Sequence, residues 1–394
     1  MSLYITPCIF KNLIEEYPTW EKLEAFLESE EGGWFRIIDR KNDLCLIRHE
    51  KGITRQDLPH SPWFRSVVWN RVTHRPVSIG PPKAAHTEFP YTTLQEVRDA
   101  VVICEEWLDG VMIHCFKQAG DSTMHISTRS HLDASGTFYS SKTFRQLFLE
   151  SFTGSISDPV GQEIATFCSF LLQHKEHRNI TPITQNRVVL IHQGVIHPDG
   201  SVFIQDGIED EKRISLTEDA DVTSWVRAYM ESTTWTTRGL VWKDSLGNRW
   251  KMESEKYARV ASLRGNHPTL LQRFAHLYTR HLVQPYLEYY PEDSFECDIH
   301  SSFIGKIIRI LYRHYIELHI TKAIRQEEID KMYHPHLYAL HGIYLSSLRS
   351  SGRILTITDI HIYLHKQPWQ RIAFLLRRHE QDYFDDIREA IQQE

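Results

Sequence analysis

The chain has 394 residues, of which 41% are hydrophobic and 24% charged, so it can form a packed core in two or three domains. Its net charge of −6 excludes a protein that coats nucleic acid through overall charge, but leaves a local basic groove open. No apolar run reaches the roughly 18 residues of a membrane-spanning helix, and the N-terminus does not resemble a secretory signal. We therefore expect an intracellular protein that is neither secreted nor bound to a membrane.

The first third of the chain predicts a helix followed by short strands. Residues 14–30 carry apolar side chains at helical spacing. Residues 34–49 and 65–84 each contain two apolar runs around a polar turn, which predicts two hairpins, and residues 101–129 predict two or three more strands. A helix opened by a serine cap is expected over residues 141–152.

The pattern changes again towards the C-terminus. Residues 165–204 predict further antiparallel strands, residues 219–231 a helix, and residues 236–257 a hairpin around a Ser-Leu-Gly-Asn turn. Amphipathic helices are then expected over residues 267–290, 304–320, 334–349 and 368–391. The predicted domains are therefore residues 1–265 and 266–394, with the boundary near 262–268.

Five short motifs follow one another between residues 63 and 254: FRSVVWN, WLDG, FLLQH, RGLVWKD and RWKMES. In this order they resemble the RNA ligases of bacteriophage RNA-repair type and the ligase-like proteins of large DNA viruses. Those proteins are covalent nucleotidyltransferases, as are DNA ligases and mRNA capping guanylyltransferases. The resemblance implies an α+β fold: an ATP-grasp-like nucleotidyltransferase domain of antiparallel sheets with flanking helices, followed by an all-helical C-terminal domain.

The family's chemistry depends on residues that this chain replaces. A lysine in the motif Lys-x-Asp-Gly attacks the α-phosphate of ATP in the presence of Mg²⁺, and the AMP then passes to an RNA 5′-phosphate. Trp107 stands at that lysine's position, and an indole has no nucleophilic amine. Arg238 stands where the family has a glutamate, and Glu253 replaces the last motif's second lysine. We therefore assign no catalytic residue and no metal ligand.

A set of residues still matches the family's nucleotide- and phosphate-binding positions, and the resemblance implies a remnant of that site at Arg65, Lys83, Asp109, Gly110, Gln173, Lys243 and Lys251. Lys243 and Lys251 are an even number of positions apart, which predicts that they share one face of their hairpin. Trp107 has two interpretations, as an aromatic that fills the pocket and as a platform on which a base stacks.

Three functions remain open. The first is a degenerate ligase-like protein, a pseudoenzyme that binds RNA ends, single-stranded RNA or a protein. The second is an active ATP- and Mg²⁺-dependent RNA ligase or nucleotidyltransferase that uses a displaced lysine, with Lys83, Lys117, Lys243 and Lys251 as candidates. The third is a structural protein, located in a virion or viral factory if the chain is viral, with partners bound through its helical C-terminal domain.

Two histidines near the C-terminus have a spacing found in metal sites. His361 and His365 are four residues apart, so on a helix both lie on one face. No cysteine cluster and no glutamate in a metalloprotease position accompanies them in the sequence. The sequence therefore favours ordinary surface or core histidines at these positions.

Overall fold

The structure, a computed structural model, describes residues 4–85, 87–207, 213–216 and 220–392. The chain forms two compact units, Met1–Ala258 and Arg259–Glu394. The first unit combines antiparallel sheets with helices, as expected of the α+β class. The predicted domain boundary after residue 265 stays a prediction. Across the described ranges, no helix has both the length and the hydrophobicity needed to span a membrane.

The largest sheet of the first unit has six antiparallel strands. In spatial order they are β1 (Tyr4–Ile5), β11 (Val202–Asp206), β10 (Arg187–Ile196), β9 (Ala165–Gln173), β7 (Val111–Gln118) and β8 (His125–Ser127). Every residue of β9 is buried, because this strand has a neighbour on each edge and both of its faces are covered. One face carries Phe116 and Phe167, and the other carries Cys115 and Phe170, which pack on helix α4 (Phe144–Ser151).

A second sheet of three antiparallel strands comes from the predicted hairpin and one earlier strand, in the order β13 (Arg249–Glu253), β12 (Gly239–Lys243) and β6 (Ile103–Glu106). Trp242 lies opposite Trp250 on the face that packs on helices α3 (Leu94–Asp99) and α5 (Val222–Ser232). Side chains alternate along strands, and Lys243 and Lys251 lie opposite Arg249 and Val241, so all four side chains share the other face. This confirms the shared face predicted for the two lysines.

A third sheet contains both predicted N-terminal hairpins, with strands β2 (Arg36–Lys41), β3 (Leu44–Arg48), β4 (Val67–Asn70) and β5 (Arg75–Ile79). The single helix predicted over residues 14–30 is wrong. Two helices form instead, α1 (Ile9–Glu16) and α2 (Trp20–Leu27), because Pro18 disfavours helical backbone in the residue before it. Thr19 caps the second helix by accepting a hydrogen bond from the backbone N–H of Lys22.

The predicted serine cap at residues 141–152 is also wrong. The helix there, α4, is capped by Thr143, whose hydroxyl accepts from the Gln146 backbone N–H at 3.2 Å. The Gln146 side chain in turn accepts from the backbone N–H of Thr143 at 2.8 Å, which completes a capping box. The reciprocal pair selects Thr143 over the serines that precede it, because only Thr143 has a glutamine or glutamate three residues later.

The described elements of the second unit are helical. Helix α6 (Glu255–Arg264) crosses the division between the units and is followed by α7 (Leu270–Tyr278), α8 (Val283–Leu287), α9 (Ser294–Tyr315), α10 (His334–Ile343), α11 (Ile357–His365) and α12 (Trp369–Gln392). The helical pattern predicted over 267–290 therefore contains a break. His281 has a φ of 58° there, a left-handed conformation that a continuing helix cannot adopt. The apolar core of this unit includes Phe303, Leu311, Leu337 and Ile360.

Candidate functional site

A cavity of about 640 Å³ lies in the first unit, lined by residues of the six-stranded and the three-stranded sheets. Strands β7 and β9 contribute Met112, His114 and Leu171. The cavity is rich in basic side chains, contributed by Arg65, Arg129, Arg238, Lys243, Arg249 and Lys251. Among the described lining residues the carboxylates are Glu105 and Glu106. This excess of positive charge suits an anionic ligand.

Trp107 lies in the cavity lining directly after β6. Its backbone N–H donates to the carbonyl oxygen of Gly239 at 2.7 Å, which ties it to the start of β12. Two basic side chains lie over its indole ring: the guanidinium carbon of Arg238 is 4.0 Å from the ring centroid, and Nζ of Lys251 is 4.4 Å from it. The Arg238 distance is within the range of cation–π attraction. The indole therefore forms part of the same surface as the cations.

Arg238 contacts both of the acidic residues near it. Its NH1 lies 3.7 Å from Asp109 Oδ1, and its Nε lies 3.5 Å from Glu253 Oε1. The guanidinium also lies 5.4 Å from the ring centroid of Tyr257. These contacts hold an arginine at the position where the resemblance expects a glutamate.

Lys251 has the most perturbed amine of the cavity. Burial, followed by the positive charges of Arg249, Arg65 and Arg238, lowers its pKa to about 6, and the carboxylate of Glu253 opposes this only in part. The amine is therefore mostly uncharged at neutral pH. It can act as a nucleophile, or it can take up a proton when an anion binds beside it.

Lys243 is fully engaged by carboxylates. Its Nζ lies 2.7 Å from Glu105 Oε2 and 3.0 Å from Asp206 Oδ1, and all three side chains are buried. Burial lowers the pKa of Lys243 and raises that of Glu105, and the attraction between the two groups opposes both shifts. Lys243 is therefore a structural cation of the cavity wall.

Asp109 and Gly110 shape the chain next to the cavity. Asp109 Oδ2 accepts hydrogen bonds from the backbone N–H groups of Ile180 and Thr181 at 2.9 Å and 3.1 Å, so this carboxylate fixes a neighbouring loop. Gly110 lines the cavity, and a Cβ atom there would lie 2.6 Å from the carbonyl oxygen of Leu172. The glycine is needed because the backbone passes this close to β9.

We expect Gly110→Ala to lower the free energy of unfolding by about 1–3 kcal/mol, because the added methyl group must displace backbone of a buried strand. The matched control is Gly342→Ala in α10, where a Cβ atom would meet nothing within 4 Å. That change is expected to stabilise the protein slightly, by up to about 1 kcal/mol. Urea unfolding of both variants compares them; equal effects would mean that the backbone approach at Gly110 relaxes freely.

Three of the residues predicted for the site do not line the cavity. Besides Asp109, these are Gln173, whose amide nitrogen donates to the Asp109 carbonyl at 2.7 Å, and Lys83, whose Nζ donates to Gln56 at 2.7 Å. The Gln173 side-chain oxygen accepts from Arg187 at 2.6 Å. Gln173 and Asp109 therefore form hydrogen bonds with each other and with neighbouring segments of the chain. Arg65, Gly110, Lys243 and Lys251 do line the cavity, with Trp107 and Arg238.

Four charged residues of the lining were not predicted from the sequence: Glu105, Glu106, Arg129 and Arg249. Arg249 and Glu105 could have been found from strand alternation, since Arg249 is two residues before Lys251 and Glu105 two before Trp107. Arg129 follows β8 in a loop, where no periodic signal marks it. With Arg129 and Arg249 nearby, burial lowers the pKa of Arg65 to about 10. The Arg65 guanidinium therefore remains charged, and its neighbours in the cavity do not fully neutralise that charge.

A buried hydrogen-bonded chain runs from His192 through Ser169 to His114, which lines the cavity. His192 Nε2 lies 2.8 Å from the carbonyl oxygen of Ile79 and 2.9 Å from Ser169 Oγ, and Ser169 Oγ lies 2.8 Å from His114 Nδ1. A carbonyl only accepts, so Nε2 of His192 carries the proton and Ser169 donates to His114. Burial, with Arg65 nearby, lowers the pKa of His114 to about 3, so this lining residue stays neutral.

The cavity does not fit a divalent metal of the kind that the family's chemistry implies. Mg²⁺ prefers carboxylate and water oxygens, whereas Glu105 is held by Lys243 and Glu106 is exposed at the end of β6. Elsewhere in the described chain, two acidic groups contain a histidine: Asp39, His131 and Asp133, and Glu150, His174 and Glu176. Lys41 bonds to Asp133, and Lys142 bonds to Glu150 and Glu176, so each group already holds a cation.

Comparisons with known proteins identify distant structural neighbours. No protein-family model matches the chain, and no curated protein matches it in sequence. An archaeal ATP-dependent RNA ligase is similar over 73% of this chain and 74% of its own, at 11% identity and a TM-score of 0.35 in one form. The other form of that ligase is similar over 73% of each chain, at 10% identity and a TM-score of 0.32. A protein from Aquifex aeolicus, provisionally designated an ATP-dependent DNA ligase, is similar over 83% of this chain and 80% of its own, at 10% identity and a TM-score of 0.28.

Proposed function

We propose that the first unit is a degenerate ligase-like module that binds the 5′-phosphate of RNA or a nucleotide in the cation-lined cavity. In this proposal, no lysyl nucleotide forms at position 107. The observation that carries the proposal is Trp107, which lies under Arg238 and Lys251 where the motif order expects a nucleophilic lysine. The order of the five motifs supports the ligase-like assignment.

The charges of the cavity favour phosphate as the ligand group. Burial, and after it the positive charges of neighbouring arginines, lowers the pKa values of Arg65 and Lys251, so an added anion would relieve repulsion. Guanidinium groups also bind phosphate oxygens through paired hydrogen bonds. The face of Trp107 can stack on a base when the ligand displaces a cation from it. The indole then fills part of the cavity when no ligand is bound, and it stacks on the base in the complex.

The test is a calorimetric titration with ATP and with a short single-stranded RNA carrying either a 5′-phosphate or a 5′-hydroxyl. We expect the phosphorylated RNA to bind about tenfold more tightly, as one charge-assisted contact provides. Arg238→Gln and Lys251→Gln should each remove most of that difference. The control Arg36→Gln changes an exposed cation of β2 and should leave it intact. Equal affinity for the two RNAs at low salt would refute the proposal.

A second candidate function is an active nucleotidyltransferase that uses Lys251. Of the four displaced lysines considered, Lys83 and Lys243 bond to other side chains, and Lys117 bonds to Asp158 at 2.8 Å. Lys251 lines the cavity with a pKa near 6, which favours a reactive amine. In the step considered, its Nζ attacks the α-phosphorus of ATP, and the bond to pyrophosphate breaks.

Intact mass after incubation with ATP and Mg²⁺ or Mn²⁺ separates the two candidates. The binding proposal expects no adduct on the wild-type chain, and the nucleotidyltransferase alternative expects an AMP adduct that Lys251→Arg removes. A Trp107→Lys variant shows whether the cavity still accepts ATP for attack from the family's position. An adduct on this variant alone would mean that only the nucleophile has been lost.

The structural or virion-assembly hypothesis stays a prediction, as do a viral origin and an intracellular location. Under the assembly hypothesis, a protein partner would bind the second unit, where Phe295, Tyr338 and Phe374 are exposed. Binding of RNA by the first unit would favour the module proposed above. Failure to bind single-stranded RNA at low salt, where phosphate contacts are strongest, would favour the assembly hypothesis.

A further inference from the structure

Helix α11 carries two histidines whose ring nitrogens face each other. His361 and His365 are one helical turn apart, and their Nε2 atoms are 3.3 Å apart. Zinc binds histidine nitrogens at about 2.0–2.1 Å in tetrahedral geometry, which places two such nitrogens about 3.3 Å apart. The separation observed thus equals the one that a shared ion requires. The four-residue spacing alone did not favour this interpretation, because spacing does not reveal where the rings point.

His365 is held in the orientation and the tautomer of a metal ligand. Its Nδ1 lies 2.8 Å from the carbonyl oxygen of Tyr278, so Nδ1 carries the proton and Nε2 offers a lone pair. A carbonyl that accepts from the second ring nitrogen is the usual support of a metal-bound histidine. The ring also stacks on Tyr278 and on His281, with centroids 3.9 Å and 4.0 Å apart. These contacts fix the ring before any ion binds.

The exposure of His361 also suits metal binding. His361 is exposed, which gives an ion a path from solvent. A tautomer of His361 with the proton on Nδ1 presents the second lone pair. An ion then replaces the proton that otherwise lies between the two nitrogens.

We propose that His361 and His365 form a binding site for a zinc-class divalent cation, with water completing the coordination. Imidazole nitrogen suits Zn²⁺, Ni²⁺ and Cu²⁺ better than Mg²⁺ or Ca²⁺. Another close pair in the second unit provides a contrast. His319 and His341 stack at 4.0 Å with an interplanar angle of 5°, so their lone pairs lie in parallel planes and cannot converge on one ion.

The test is to count the Zn²⁺ ions that the full chain binds after chelator treatment, by calorimetric titration at neutral pH. We expect His361→Gln and His365→Gln each to bind one ion fewer than the wild type, and His319→Gln to bind the same number. His361 is exposed, so its variant should keep the native circular dichroism spectrum. An unchanged ion count in folded His361→Gln would overturn the proposal and leave a histidine–histidine hydrogen bond. No Zn²⁺ binding by the wild type would overturn it equally.

Discussion

Lys243→Met is expected to lower the free energy of unfolding of the first unit by about 3–5 kcal/mol. The substitution removes a cation that bonds to both Glu105 and Asp206, at 2.7 Å and 3.0 Å, and leaves two carboxylates buried close together. Arg249 offsets part of this charge from the neighbouring strand. Because whole domains are stable by only about 5–15 kcal/mol, a loss of this size is large. Urea unfolding followed by tryptophan fluorescence measures it.

Two control variants show whether burial causes this effect. Lys11→Met removes an exposed partner of Asp199, at 3.1 Å, and should change the stability little, because solvent screens this pair. A triple variant that adds Glu105→Gln and Asp206→Asn to Lys243→Met removes the uncompensated charges and should recover much of the stability. If Lys243→Met cost no more than Lys11→Met, the ion pair would be accessible to water and would not hold the cavity wall.

Lys251→Met should remove a pH dependence of stability that the wild type shows above pH 6. The folded-state pKa of Lys251 is about 6, below the ordinary value of 10.5, so the unfolded chain binds more protons between these two values. Wild-type stability therefore rises with pH relative to the variant, by up to about 1.4 kcal/mol per pH unit within that window. Below pH 6 the amine is protonated in both the folded and the unfolded chain, so its burial destabilises the fold most in that range.

Urea unfolding at several pH values between 6 and 9 tests this slope, with the exposed Lys175→Met as the matched control. The control should run parallel to the wild type, and Lys251→Met should diverge from both by becoming relatively more stable as the pH falls. Parallel curves for all three proteins would mean that the Lys251 amine keeps its ordinary pKa. The cavity would then hold a charged lysine, and the second candidate function would lose its support.

The sequence predicted elements wherever one local rule decided the structure. The two N-terminal hairpins follow from polar turns between apolar runs, and the shared face of Lys243 and Lys251 follows from strand alternation. Where two local rules competed, the prediction was wrong. Helical periodicity covers residues 14–30, but Pro18 divides the segment. The left-handed backbone at His281 likewise interrupts a predicted helix, and the residue composition there gives no sign of the break.

The candidate site was predictable only in part, because its charges come from distant segments. The motif order directed attention to Trp107 and Arg238, and both line the cavity. The environment of Lys251 could not be derived, since Arg65 and Arg249 approach it through the packing of separate elements. Asp109 and Gln173 were expected to belong to a remnant of a nucleotide- and phosphate-binding site, but they bond to each other and to loop backbone. Local motifs identify such residues without revealing their hydrogen-bond partners.

The most direct test of the central claim is native mass spectrometry of the full chain with 5′-phosphorylated RNA or ATP, followed by denaturation of the same sample. We predict a mass increase of one ligand under native conditions that disappears completely on denaturation. Arg238→Gln should weaken that complex, and Arg36→Gln should not. An AMP adduct that survives denaturation would contradict the claim of binding without covalent chemistry. Absence of any complex at low salt would contradict the claim that the cavity binds phosphate.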